Sequence, residues 1–188
     1  MRRRVSVLAT ILFTSFVNIS YAQEPPDRSG SARAAMEALR PMAGEWLADV
    51  YMWRDGAWSA PEKERVTFNF ILNDLALRKL IPERTPTGVR METTIQYDQY
   101  RDLYRLAAMD DGWGNMDIYE GAMDEPGKIV FTNLRPETFA VGSGGEEYAF
   151  QLTLSIEDEN AHTLFVEIST NKGETWLPFQ RIERKRLQ

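Results

Sequence analysis

His162 is the chain's one histidine, and the chain has no cysteine. Those two counts remove most metal and nucleophile chemistry. A multi-histidine metal site cannot be built, cysteine-based zinc and iron–sulfur sites are excluded along with thiol catalysis, and any Ser-His-Asp triad would have to assemble around His162. His162 follows Asn160-Ala161 at a hairpin edge, so it is expected as a solvated turn residue. Three acids on strand-like stretches, Asp117, Glu120 and Glu167, would do acid–base work if two of them faced a dry interior, where desolvation raises a carboxyl pKa. Alternation puts Asp117 with Tyr119 and sends Glu120 the other way, and strand charges ordinarily face solvent. No catalytic residue is assigned on that basis.

Arg105 is the more informative charge. It sits mid-strand on one face with Leu103, Ala107 and Met109. Were that face internal, the guanidinium would hold a ligand carboxylate or phosphate by two parallel hydrogen bonds, or pair with Asp117 on the next strand. The run Glu157-Asp158-Glu159 lacks EF-hand spacing and reads as a charged hairpin tip. Aromatic and methionine side chains recur on the strands: Trp53, Phe68, Phe70, Met91, Tyr97, Met109, Tyr119 and Phe131. Most belong to a core, but a subset with Arg105 and Asp117 has the composition of a small-molecule site, apolar walls with a few directed polar groups.

The elements that must position these residues follow from hydrophobic period. Ala32, Ala35, Met36 and Leu39 recur at helical spacing, Ser31 can cap the start and Pro41 limits the end, so one short helix is predicted over Ser31–Arg40. After Gly44 the period switches to two. Ten strands are predicted: Glu45–Trp53, Glu64–Leu72, Leu75–Ile81, Val89–Tyr97, Leu103–Met109, Trp113–Gly121, Lys128–Asn133, Glu147–Glu157, His162–Asn171 and Glu174–Arg184. Asp55-Gly56, Asp111-Gly112 and Lys172-Gly173 supply turn residues that accept positive φ. No connection is long enough for a crossover helix, so the sheet is expected to be antiparallel and mostly up-and-down. Ten twisted strands in succession either form a sandwich or close, and closure removes exposed edges. The expected fold is therefore all-β, an antiparallel up-and-down barrel of about ten strands with one short N-terminal helix over an open end.

The N-terminus adds a location. Arg2, Arg3 and Arg4, the apolar stretch Val5–Val17 and Ser20-Tyr21-Ala22 read as a secretory signal over residues 1–22, cleaved to leave Gln23. The apolar stretch is too short for a membrane-spanning helix. Residues 23–30 read as a flexible lead and 31–188 as one domain, with a periplasmic or secreted location. Losing three arginines and no acid moves the net charge from −6 to −9, which argues against nucleic acid and anionic membrane surfaces as partners. With no disulfides, the core alone must hold the fold.

Gly44-Glu45-Trp46 directly after the helix resembles the Gly-x-Trp opening of the first strand in calycins. That resemblance implies that Trp46 closes one end of the barrel beneath an arginine of the last strand, Arg184 or Arg181. A closer resemblance is to a bacterial family of unknown function, the DUF1579-like lipocalin-type barrels. It rests on Gly44-Glu45-Trp46, Tyr97-Asp98 with Tyr104-Arg105-Leu106, Tyr119-Glu120-Gly121, and Ser169 through Trp176 leading into Arg184. One departure is that Asn73-Asp74 stands where such barrels usually carry Gly-Gly in the second hairpin.

What the resemblance implies is an internal cavity that binds a small apolar or amphipathic molecule, with no cofactor and no enzyme activity implied. The residues expected around it are Phe68, Phe70, Met91, Tyr97, Arg105, Met109, Asp117 and Tyr119. The alternatives are a small-molecule isomerase or hydrolase using Asp117, Tyr119 and Arg105 in the same cavity, and an assembly module whose outer face meets a partner.

Overall fold

The computed structural model describes residues 29–81, 90–112 and 114–187. The expected signal, most of the lead, and the predicted strand starts at Val89 and Trp113 lie outside the described residues. A nine-residue helix, α1 (Ser29–Glu37), opens the described chain, two residues ahead of the predicted start. It ends at Glu37 rather than Arg40 for a steric reason: Pro41 lacks an N–H and its ring would meet the carbonyl four residues earlier. The chain tightens there into a single 3₁₀ turn, Arg40–Met42. Met36, Leu39 and Met42 are buried, so the helical stripe and the turn face the same way, into the barrel end.

Among the described residues twelve strands follow: β1 (Gly44–Arg54), β2 (Ala57–Trp58), β3 (Glu62–Ile71), β4 (Ala76–Leu80), β5 (Met91–Asp98), β6 (Leu103–Asp110), β7 (Met116–Glu125), β8 (Lys128–Thr132), β9 (Ala140–Val141), β10 (Glu147–Ile156), β11 (Ala161–Ser169) and β12 (Leu177–Arg186). Ten of them form a closed antiparallel ring in the order β1-β3-β4-β5-β6-β7-β8-β10-β11-β12 and back to β1. The two short ones are appendages, β2 on β1 and β9 on the start of β10. All ten predicted strands are present, and the ring is the closed up-and-down barrel that the alternation predicts.

One end of the barrel is plugged. Trp46 is fully buried beneath the 3₁₀ turn and donates from Nε1 to the carbonyl of Met42 at 2.8 Å. The arginine over its ring is Arg186, 4.4 Å from the ring centre, not the expected Arg184 or Arg181. Arg186 donates to the carbonyls of Pro41 and Ala43, which ties the last strand to the segment entering the first. Gly44 is required there: its φ is +127° and a Cβ would lie 2.4 Å from the Arg186 guanidinium. Arg181 faces outward and stacks on Tyr51 and Trp58.

The turn at the Asn73-Asp74 departure needs no glycine, because Leu72, Asn73 and Asp74 all adopt positive φ, between 54° and 65°. Gly121 serves a different need. A Cβ there would lie 2.3 Å from the Val130 carbonyl oxygen, so its bare backbone lets β7 and β8 approach.

Candidate ligand cavity

Inward positions of the ring enclose a cavity of about 640 Å³. Its walls are apolar: Leu106 and Ala108 of β6, Phe131 of β8, Phe150, Leu152 and Leu154 of β10, Leu164 and Val166 of β11. Met42 and Phe68 line its inner part, while Phe139–Gly142, Asn115, Asp117, Phe179 and Gln180 line it toward the end away from α1. The segment bearing Phe139 is fixed rather than loose. Asn133 is fully buried; its Nδ2 donates to the Thr138 carbonyl at 2.9 Å and its Oδ1 accepts from the Phe150 N–H at 2.8 Å. The Thr138 hydroxyl in turn bonds both backbone groups of Ile118, so this segment is pinned between β7 and β10.

Two cations face this interior. Lys79 of β4 is 9% exposed and Arg184 of β12 is 4% exposed, and both line the cavity. Neither makes a hydrogen bond or an ion pair with a described residue, and the Arg184 Nε is buried without a partner. Burial, then the positive charge of Arg184, lowers Lys79 to about 8; burial lowers Arg184 to about 10. Glu64 of β3 is the acid whose charge both cations feel. It belongs to one cross-strand row, Glu64, Ala48, Arg184, His162, running from β3 through β1 and β12 to β11.

His162, expected in solvent, is 1% exposed. Its ring sits edge-on to Trp46 at 4.3 Å and to Phe68 at 5.4 Å, and neither nitrogen has a hydrogen-bond partner. Burial and the nearby charges of Arg184 and Arg186 lower it to about 2, so it is a neutral packing residue at physiological pH. The signal that would have placed it is its parity with Leu164 and Val166, which outweighs its nearness to a turn.

Of the residues expected around a cavity, Phe68, Met91, Asp117 and Tyr119 line it. Phe70, Tyr97, Arg105 and Met109 do not. Phe70 lies under the Arg40 guanidinium at 4.1 Å, beside the plugged end. Tyr97 packs edge-on against Tyr104 and donates to Asp102, a bond that pushes its phenol up to about 12. Tyr97 and Arg105 line a shallower groove beside α1 instead. Arg105 is on the outer face because Tyr104, Leu106 and Ala108 take the inner parity of β6. Its Nε is 3.4 Å from Glu120, which Arg135 also approaches, so its ion-pair partner is Glu120 and not Asp117. Met109 shares that outward face and is partly exposed. Glu167 accepts from Gln151 at 3.0 Å across β10 and β11, on the outer side. Among the acids expected to do chemistry, Asp117 alone lines the cavity: it accepts from the Tyr119 hydroxyl at 3.3 Å, and burial raises both groups.

Sequence reasoning did not find Lys79, Arg184 as a cavity residue, Phe139–Gly142 or the aromatic Phe179. Lys79 could have been found, since it stands between Leu77 and Ile81 on the apolar parity of its strand.

No family model and no curated protein matches the chain. Among solved structures, Rv2717c from M. tuberculosis is similar, with a TM-score of 0.57 and 13% identity over 82% of this chain and 98% of that one. The S-type phycobiliprotein lyase CPES from Guillardia theta matches with a TM-score of 0.39 and 12% identity, covering 87% of this chain and 99% of that one. The fold is thus a calycin-like barrel.

Proposed function

We propose that this chain is an exported, DUF1579-like barrel protein that holds a small apolar or amphipathic molecule inside the barrel. The observation that carries the reading is the cavity itself, whose volume of about 640 Å³ lies within the range of small-molecule sites and whose walls are mostly aliphatic and aromatic. Small side chains at Ala108, Thr93 and Ala140 keep that space open where larger ones would fill it. At the end away from α1, the exposed apolar residues Met116, Val141 and Leu177 stand on strand ends.

The test uses a neutral dye whose fluorescence rises in apolar surroundings, N-phenyl-1-naphthylamine. It should bind the wild-type chain with saturation, and Ala108→Trp, which fills the middle of the cavity, should abolish the signal. Equal fluorescence from both proteins would remove the cavity as the binding place. Export is tested separately: protein recovered from its host's envelope should begin at Gln23, and recovery from the cytosol with Met1 retained would overturn it.

The isomerase or hydrolase reading retains Asp117 and Tyr119 in the wall but loses Arg105 to the outer face, so its three-residue constellation is not assembled. That reading would rest on Asp117 as a base.

A further inference from the structure

An isolated charge in an apolar interior costs several kcal/mol of lost hydration unless an opposite charge or hydrogen-bonding groups replace the water. The inner part of this cavity holds two such charges, on Lys79 and Arg184, and neither makes a hydrogen bond or ion pair with a described residue. The groups facing Lys79 from neighbouring elements can be counted. β12 contributes Arg184, β3 contributes Glu64, and β5 contributes the uncharged Thr93 and Ile95. The nearby His162 of β11 is neutral. Two positive charges against one negative leave an excess of one.

We propose that the ligand carries a monoanionic head, a carboxylate, held between Lys79 and Arg184, with its apolar tail directed toward the end away from α1. This rests on the cavity-binding reading above and names the class of ligand. The guanidinium of Arg184 offers paired N–H donors to a carboxylate, and the Lys79 ammonium adds a point charge. A dianionic phosphate would exceed the charge balance and leave a net negative group in an apolar enclosure. Orientation follows from the opposite end of the cavity, where Asp117 lines the wall and disfavours an anionic head. The apolar residues between the two ends, Leu106, Leu152 and Val166, suit an aliphatic chain.

The experiment is displacement of N-phenyl-1-naphthylamine from the mature chain by three probes of equal tail length: dodecanoate, dodecanol and dodecyl phosphate. Dodecanoate should displace the dye at least about tenfold more tightly than dodecanol near neutral pH. Lys79→Met and Arg184→Met should each reduce that preference by about tenfold or more. If Arg184→Met fails to fold, Lys79→Met carries the test alone. The preference of the wild-type chain should also decline as the pH is raised through the range where Lys79 loses its proton. Dodecanol binding as tightly as dodecanoate, with dye binding intact, would overturn the carboxylate head and leave the cavity reading standing. Tighter binding of dodecyl phosphate would overturn the charge count. Failure of the dye and all three probes to bind would overturn both readings.

Discussion

A lysine that faces an apolar interior without a partner lowers the stability of the unliganded fold, and its titration gives the size of the effect. Lys79 falls from 10.5 to about 8 on folding, chiefly through burial. Between those values the unfolded chain holds a proton that the folded chain has released, so stability rises with pH across that window. Below it the whole penalty applies, on the order of 3 kcal/mol. Lys79→Met is therefore expected to raise the unfolding free energy measured by urea titration at neutral pH by an amount on that order, and the gain should vanish above the unfolded value. A variant less stable than wild type at neutral pH would show that Lys79 has a partner in the fold. His162 makes the complementary case. Its folded value of about 2 lies below its ordinary 6.5, so the unfolded chain alone takes up a proton as the pH falls below 6.5. Stability is lost there at up to about 1.4 kcal/mol per pH unit. His162→Leu should flatten this part of the stability profile between neutral and mildly acidic pH, and an unchanged slope would place the imidazole in water. Sequence reading missed both side chains, although parity carried a signal for each, Lys79 between Leu77 and Ile81, and His162 with Leu164 and Val166. What alternation lacks is the sign of the face. Arg105 and Lys79 both sit mid-strand among apolar neighbours, and the direction in which the sheet curls decides which of them is inside.

Among the elements, two of the three turns expected from residues that tolerate positive φ were readable directly, whereas at Asp111-Gly112 neither residue takes positive φ and Gly114 does instead. Asp55-Gly56 and Lys172-Gly173 both adopt positive φ at both positions, and the first joins β1 to β2 with Trp53 opposite Trp58. The β3–β4 turn was harder because it begins with a leucine. Leu72 is held at φ 54° while 65% exposed, so its side chain recovers little by burial for a conformation that costs an L-residue roughly 1 kcal/mol. Leu72→Gly should consequently stabilise the protein by about 0.5 to 1 kcal/mol, less the added freedom of glycine in the unfolded chain, and Leu72→Asn should do so without that offset. Thermal midpoints of the two variants check this. A clear loss of stability in both would mean that Leu72 makes an apolar contact outweighing its backbone cost. The arginine over Trp46 shows how far pattern reaching along a strand can go. Arg184 and Arg186 share one parity, so sequence narrows the choice to a face. Register, with Trp46 opposite Arg186 and Ala48 opposite Arg184, settles which one meets the indole.

At the level of the whole molecule, closure was legible because ten strands followed one another with no crossover helix, whereas hollowness was not. The free volume depends on how small inward residues such as Thr93 and Ala108 are placed around the ring, and no single strand encodes that. The ring is also built unevenly in sequence. Nine of its ten pairings join strands that follow each other in the ring's chain order, while the tenth, β12 with β1, joins the two ends of the domain. The Arg186 contact to Ala43 spans 143 residues. Local hairpins lose little chain entropy when they form, whereas the seam requires closing nearly the whole domain, so it is expected to form after the main folding barrier. Ile182 opposite Val50 in the seam and Ile95 opposite Leu106 in the β5–β6 hairpin are matched buried probes. Truncating either to valine should cost about 1 kcal/mol. Ile182→Val should speed unfolding and leave the folding rate nearly unchanged, whereas Ile95→Val should slow folding by a large share of its equilibrium effect. Chevron plots of the two variants against wild type separate the cases: a folding rate that falls more for the seam variant than for the hairpin variant would mean that the barrel closes first and its hairpins are completed inside an already joined ring.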